Sequence, residues 1–232
     1  LMHRYEPPFP EVSERGMYRK RERHYQRMCR WASGILVDSE TGREQLLASY
    51  EVTGEVFVLP YIAPKHVRSP NERRVLLDRV PEKYFFYPAQ FWQHKNHGRL
   101  VRAIADLRDR YPEIRAVFVG SPKNGYDDLR ANVSALGLDS HVLFLDYVPD
   151  AEMGELYRRA RALVMPTFFG PTNIPQLEAF ALGCPVATSR IYGIPEQVGD
   201  AALLFDPNST VEMAAVMERL WTDDELCRLL SE

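Results

Sequence analysis

Along residues 84–205 the pattern of apolar and polar positions changes period in a regular way. Short apolar runs at Tyr84 to Tyr87, Ala116 to Val119, Val142 to Leu145, Ala162 to Met165, Val186 to Thr188 and Ala202 to Phe205 have the length and content of buried strands. Segments with helical spacing lie between them, near 97–110, 125–136, 151–160, 174–182 and 194–199. Val211 to Leu220 and Asp224 to Leu230 predict two closing helices. Strands alternating with helices in this way predict an α/β fold with a Rossmann-like, doubly wound parallel sheet.

Upstream the pattern is less regular. Residues 11–31 interleave Arg, Lys and Glu with Met17, Tyr18, Tyr25 and Met28, and read as one helix with a solvated, salt-bridged face. The basic cluster Arg19 to Arg23 could alternatively bind phosphate. Ser33 to Val37 reads as a strand, Asp38-Ser39-Glu40 as a helix N-cap signal, Glu44 to Tyr50 as helix, and Val56 to Leu59 as a strand ended by Pro60. Residues 61–80 hold Pro64, Pro70 and many charges without a period, which predicts a linker between two lobes, placed at 63–80.

The 232 residues suffice for one large domain, or one domain and part of another. The net charge of −3 and pI near 6.1 argue against a nucleic-acid binder, whose signature is a basic domain. No apolar run has membrane-spanning length and no signal peptide is visible. Cys29, Cys184 and Cys227 are odd in number and lack metal-ligand spacing. Cys184 reads as a buried small hydrophobe, and a reducing cytoplasm fits this usage.

The most informative segment is ALVMPTFFGPTNIPQLEAFALGCPVA, residues 162–187. An apolar strand gives way to a Pro/Gly/Asn-rich turn, Pro166 to Asn173. A helical pattern follows from Ile174 to Leu182, with Gly183 placed as its C-cap and Pro185-Val186-Ala187 opening the next strand. A turn feeding straight into a helix N-terminus leaves amides unpaired, and with the helix dipole they favour a phosphate. Glu178, one turn in, could reach a hydroxyl of the same ligand. The segment therefore suggests a ligand with phosphate and hydroxyl groups, such as a nucleotide sugar, although most strand–turn–helix units bind nothing.

A second constellation, AQFWQHKNH (Ala89 to His97), follows the first strand of this region, where open α/β sheets bind ligands. Lys95 is a compact cation suited to a diphosphate, or else an exposed loop lysine. His94 reads as a polar loop residue and His97 as a helix-start residue near phosphate. The two suggest a metal, but no second cluster completes a site. Trp92 reads as packing under the loop or, alternatively, stacking on a ligand. Gly120, in Val119-Gly120-Ser121, permits close backbone approach to a ligand.

PTFFGPTNIPQLEAFALGCPV resembles the signature loop of the large GT-B-fold family of nucleotide-sugar glycosyltransferases, the retaining type usually numbered family four. Pro166-Thr167 stands for the family's Pro-Ser, Leu177 to Ala181 for its Leu-Glu-Ala run, and Gly183 and Pro185-Val186 match directly. The family usually carries two glutamates separated by seven residues. Glu178 is the second, but Gly170 stands at the first, the acid that lies near the donor sugar. The family's Phe-Gly-Leu becomes Pro171-Thr172-Asn173-Ile174.

The resemblance implies that Lys95 holds the leaving diphosphate and that Gln90 occupies the place of a second cation, an arginine. Backbone amides of Thr172, Asn173 and Ile174 would assist, and Glu178 would bond the ribose. Gly120 and Ser121, and Tyr147 and Val148 beside the base, would complete the donor site, although Tyr147 could equally be a rim residue. Glu196 is implied to cap local structure. No metal or other cofactor is implied.

The resemblance further implies that residues 1–62 are the end of an acceptor lobe and 81–232 the donor-binding lobe. The start LMHRYEPPFPE is similar to a His-Asp-Leu-x-His stretch entered partway, so the chain is expected to be a fragment. The implied partners are a nucleotide-sugar donor and a glycan or lipid-linked acceptor, with peripheral membrane association of the full-length enzyme. The alternative is a non-catalytic sugar-nucleotide-binding or interaction module that kept the fold and lost the chemistry.

Overall fold

The computed structural model describes residues 1–6, 8–64, 79–170 and 172–232, so most of the expected linker, 63–80, lies outside the described residues. The first part holds α1 (Met2–Tyr5), α2 (Pro10–Ser13), α3 (Met17–Trp31), β1 (Gly34–Val37), α4 (Glu40–Ser49) and β2 (Glu55–Val58). Strands β1 and β2 pair in parallel, Ile35 opposite Val56, over a small core of Cys29, Ile35, Leu46 and Tyr50.

The single helix expected over 11–31 is broken. A 3-10 turn, Glu14–Gly16, separates α2 from α3, with Arg15 at φ 52° and Gly16 at φ 75°. No helix continues through consecutive left-handed residues. The salt-bridged face is also not found. Glu22, the one acid of α3, is held by Arg4, His3, Tyr50 and Gln26. The side chains of Arg19, Lys20, Arg23, Arg27 and Arg30 make no ion pair or hydrogen bond with any described residue and stay exposed.

The larger part contains β3 (Phe85–Pro88), α5 (His97–Arg108), β4 (Ala116–Val119), α6 (Tyr126–Ala135), β5 (Val142–Leu145) and α7 (Asp150–Arg159). It continues through β6 (Ala162–Met165), α8 (Ile174–Ala181), β7 (Val186–Ser189), α9 (Ile194–Val198), β8 (Leu203–Phe205), α10 (Thr210–Thr222) and α11 (Asp224–Ser231). Six strands form one parallel sheet in the order β5-β4-β3-β6-β7-β8, the doubly wound arrangement the alternation predicts. Central β3 pairs on both edges, Phe86 facing Val117 of β4 and Leu163 of β6. Strands covered on both faces need continuous apolar runs, and β4 and β6 are buried at every position.

The core around β3 uses tyrosines whose hydroxyls are each satisfied. Tyr84 donates to the Leu156 carbonyl at 2.7 Å, Tyr87 to the Lys95 carbonyl at 3.0 Å and Tyr157 to Glu178 at 2.7 Å. The last two bonds tie the hydrophobic core directly to residues singled out from the sequence. Helix α8 ends at Gly183 (φ 67°), where Cys184 N–H returns to the Ala179 carbonyl and Gly183 N–H to that of Phe180, closing the helix end as expected.

Candidate functional site

The strand order reverses between β3 and β6, and there the loops that follow these two strands meet. Phe168 N–H donates to the His94 carbonyl at 2.8 Å. Asn96, buried and left-handed at φ 62°, spends its amide on the carbonyls of Pro166 and Pro207, both at 2.9 Å. One side chain thus joins the loops that follow β3, β6 and β8.

Lys95 lies in the 3-10 turn Gln93–Lys95 that precedes α5. Its ammonium has no ion pair or hydrogen bond with any described residue, and burial lowers its pKa to about 8. Gln90 is exposed at the mouth of the loop, its Oε1 accepting from Trp92 Nε1–H at 2.9 Å. That bond leaves the Gln90 amide hydrogens free, and Trp92 packs against the loop.

His94 is not a free loop residue. Its ring and its backbone N–H both meet Glu11 of α2, at 2.5 and 3.0 Å. Burial drives its pKa down to about 4 despite the carboxylate. His97 does open α5, but its ring is enclosed by Tyr87, Phe91 and Phe118, and burial lowers its pKa to about 3. It is a neutral core residue, not a phosphate contact. Among the described residues no three His, Cys, Asp or Glu side chains gather into a group that could hold a metal.

A cleft of about 480 Å³, within the range of small-molecule sites, opens at the carboxyl ends of β3, β4 and β5. It brings together Gln90, Gly120, Ser121, Tyr147, Val148 and Glu178, which are widely separated in sequence. A Cβ on Gly120 would lie 2.3 Å from the Ala89 carbonyl oxygen. The close approach this glycine permits is therefore that of the chain's own Ala89–Gln90 backbone. Tyr147 is 81% exposed and stands at the rim. Glu178 enters the cleft from α8 with one carboxylate oxygen held by Tyr157, which leaves the other for a ligand.

Gly170, Thr172, Asn173 and Ile174 occupy the β6 loop outside the lining of this cleft. Gly170 has φ 140°, and a Cβ there would lie 2.4–2.8 Å from the Asn173 carboxamide. Of the three amides expected to face phosphate, that of Asn173 is already engaged, donating to Gln197 Oε1 at 2.8 Å. Thr172 donates its hydroxyl to Asp38 at 2.7 Å, and Pro175 removes a donor from the first turn of α8. The Ile174 N–H remains at the helix start, and Asn173 Nδ2 is buried without a partner.

Sequence reasoning missed Tyr157, Glu11 and Asp38. No local motif marks any of them, since each acts on a residue more than twenty positions away or on another strand end.

A six-stranded parallel sheet with helices between its strands and a cleft at the carboxyl ends of β3, β4 and β5 defines a doubly wound α/β protein. Residues 68–232 match the family described as Glycosyl transferases group 1, and the chain belongs to that family. It is 28% identical over 226 residues to the O-antigen chain mannosyltransferase B of Escherichia coli, covering 93% of this chain and 58% of that relative. The chain thus spans somewhat over half the length of this curated relative. Its fold is that of GT-B glycosyltransferases. WaaG, a glycosyltransferase involved in lipopolysaccharide biosynthesis, superposes with a TM-score of 0.79 at 20% identity, over 96% of this chain and 62% of WaaG. Anabaena HepE in complex with UDP-glucose gives 0.74 at 18% identity, over 88% of this chain and 58% of HepE.

Proposed function

We propose that this chain is the donor-binding lobe, with the end of the acceptor lobe, of a retaining glycosyltransferase. The enzyme moves a sugar from a nucleoside-diphosphate sugar to a hydroxyl of a glycan or lipid-linked acceptor in cell-surface polysaccharide or glycoconjugate assembly. The observation that carries this reading is Lys95, a part-buried ammonium without a carboxylate among the described residues. It lies on the same loop after β3 whose Ala89–Gln90 stretch lines the cleft that holds Glu178, although Lys95 itself is not part of that lining. A cation already neutralised by a protein acid would have little left for a phosphate, whereas this one faces no such acid among the described residues and sits in a poorly hydrated place where an anionic ligand would favour its charged form.

In this reading the base lies along Gly120, Ser121, Tyr147 and Val148, and the ribose hydroxyls meet the open oxygen of Glu178. Lys95 and the Gln90 amide take up the charge that develops on the leaving diphosphate, helped by the Ile174 N–H at the start of α8. Protein groups, not a metal ion, are assigned to that charge. Residues 1–62 are read as the end of a larger acceptor lobe. Leu36 and Phe57, at least half exposed on β1 and β2, support this by offering apolar area to neighbouring structure. The cationic face of α3, ending in Trp31 at 74% exposure, supports peripheral contact of the full-length enzyme with an anionic membrane, the enzyme working from the cytoplasmic side. No helix among the described residues is long and apolar enough to cross one.

A binding module without chemistry is the second reading. Gly170 favours it, because the position of the first family acid carries no side chain, and one added there would need the Asn173 carboxamide to move and a backbone at φ 140° that side chains rarely adopt. Calorimetry with UDP, GDP, ADP and dTDP, followed by a transfer assay, tests both. Binding of one diphosphate supports the donor lobe, and no binding of any sinks it. Turnover in the full-length protein separates the transferase from the binder. This chain alone is expected to stay near background.

A further inference from the structure

We propose that Glu11 is a positioning residue for Lys95, a strut from the N-terminal segment that holds the Gln93–Lys95 turn in the geometry that meets the diphosphate. The inference rests on the reading that Lys95 binds that group. A three-residue 3-10 turn supplies no internal acceptor for its first amides, so an outside group must hold it. Here the outside group comes from α2. Glu11, its side chain only 7% exposed, accepts from the His94 N–H at 3.0 Å and bonds the His94 ring at 2.5 Å. Its second oxygen accepts from Asn124 Nδ2 at 2.7 Å, and Asn124 Oδ1 in turn accepts from the Gln93 N–H at 3.2 Å.

The far end of the turn is fixed as well, with the Lys95 carbonyl accepting from Tyr87 at 3.0 Å. Next to Glu11, Phe9 packs on the loops that follow β3 and β6, its ring 5.5 Å from Phe168 and 6.1 Å from His94. The arrangement also keeps charges apart. Both Glu11 oxygens are used by His94 and Asn124, and Glu11 does not pair with Lys95. Donor affinity is thereby coupled to the docking of residues 9–11, which belong to the N-terminal part of the chain.

The test is a double-mutant cycle read by calorimetry on the full 232-residue chain. The probes are UDP, GDP, ADP and dTDP and their nucleosides, and the variants are Glu11→Ala, Glu11→Gln, Lys95→Ala and Lys95→Ala combined with each. Glu11→Ala is expected to weaken the diphosphate about tenfold, the scale of losing a supporting contact, and to leave the nucleoside unchanged. Glu11→Gln keeps an acceptor for the His94 N–H and should recover part of the loss. In the Lys95→Ala background the Glu11 effect should vanish. Equal weakening of diphosphate and nucleoside, or a Glu11 effect that persists without Lys95, overturns the proposal. If Glu11→Ala does not fold, the Glu11→Gln cycle decides alone. Lys95→Ala with undiminished diphosphate binding overturns the reading of Lys95 itself, and Lys95→Ala weakened with Glu11 variants unaffected overturns only the strut.

Discussion

The Glu196 carboxylate accepts both the backbone N–H and the hydroxyl of Thr41, each at 3.1 Å. It also accepts the Glu40 N–H at 2.8 Å, while Ser39 takes that of Gly42 at 3.0 Å. The first three amides of α4 are thus satisfied, two of them by a residue of α9 far away in sequence. Burial alone would raise the Glu196 pKa, but these bonds outweigh it and hold the group below the ordinary glutamate range. Glu196 is a cap, as its motif suggests, but the helix it caps belongs to the N-terminal part of the chain.

Replacing Glu196 by Ala should therefore cost about 1 kcal/mol, the usual worth of an N-cap. Urea unfolding measures the loss, and amide exchange at Glu40 and Thr41 locates it. Unchanged exchange at those two amides would show the cap to be idle.

Lys95 makes nucleotide affinity depend on pH in a region where ordinary lysines are silent. Its pKa of about 8 means that the free protein loses this charge as pH rises through 8, and an anionic ligand binds the protonated form better. Diphosphate affinity should fall between pH 7.5 and 9.5, nucleoside affinity should not, and Lys95→Arg should flatten the profile because guanidinium stays charged. A flat wild-type profile would show that Lys95 does not touch the ligand.

Stability should respond to acid through His94 and His97. Both are buried neutral, with pKa values near 4 and 3 against 6.5 unfolded. The unfolded chain therefore binds more protons below pH 6.5, and stability declines as pH falls from 6.5 toward 4. Glu11, whose pKa is lowered despite its burial because its hydrogen bonds outweigh it, contributes constant stability across the upper part of this window and loses it only at lower pH. His97 Nε2 is buried without a partner among aromatic rings. His97→Phe should match or exceed the parent in urea midpoint at pH 7 and show a shallower decline to pH 5.

Glu178→Gln should weaken a ribonucleotide more than its 2′-deoxy analogue, because it replaces a charged acceptor with a neutral amide at the one oxygen that Tyr157 leaves open to the ribose. The expected loss is about 1–3 kcal/mol for the ribonucleotide. Tyr157→Phe, which frees the held oxygen, should produce a smaller loss with the same preference. An unchanged ribose preference in Glu178→Gln, with only a lowered melting temperature, would leave Glu178 as a support for α8.

The cationic face of α3 predicts flotation with vesicles rich in anionic lipid and none with neutral ones. The binding should be screened away at high salt. Arg23→Glu combined with Arg27→Glu should abolish it. Flotation that survives both changes would place the contact elsewhere.

The strands were legible because each is a continuous apolar run between turns, and β4, β5 and β6 fall on the expected residues. The β6 loop was legible through its motif, and family membership follows from the same residues. The break at Arg15 was not, since a left-handed arginine leaves no mark in composition. The pairing of α3 was misread because charge density says nothing about which charges meet. Glu22 answers to Arg4, His3 and Tyr50, and its neighbours on the helix are left over. Tyr157 and Glu11 act across the fold on residues whose proximity only the sheet order creates.

The crowding of Gly170 by the Asn173 carboxamide makes these two positions sterically dependent on each other. A glutamate introduced at 170 alone meets the Asn173 amide and a backbone conformation suited to glycine, and a glycine at 173 alone empties the space without supplying an acid. Restoring the acid therefore asks for a shift of the Asn173 side chain and for a change of backbone at 170, so the loop and not only the residue would have to be rebuilt.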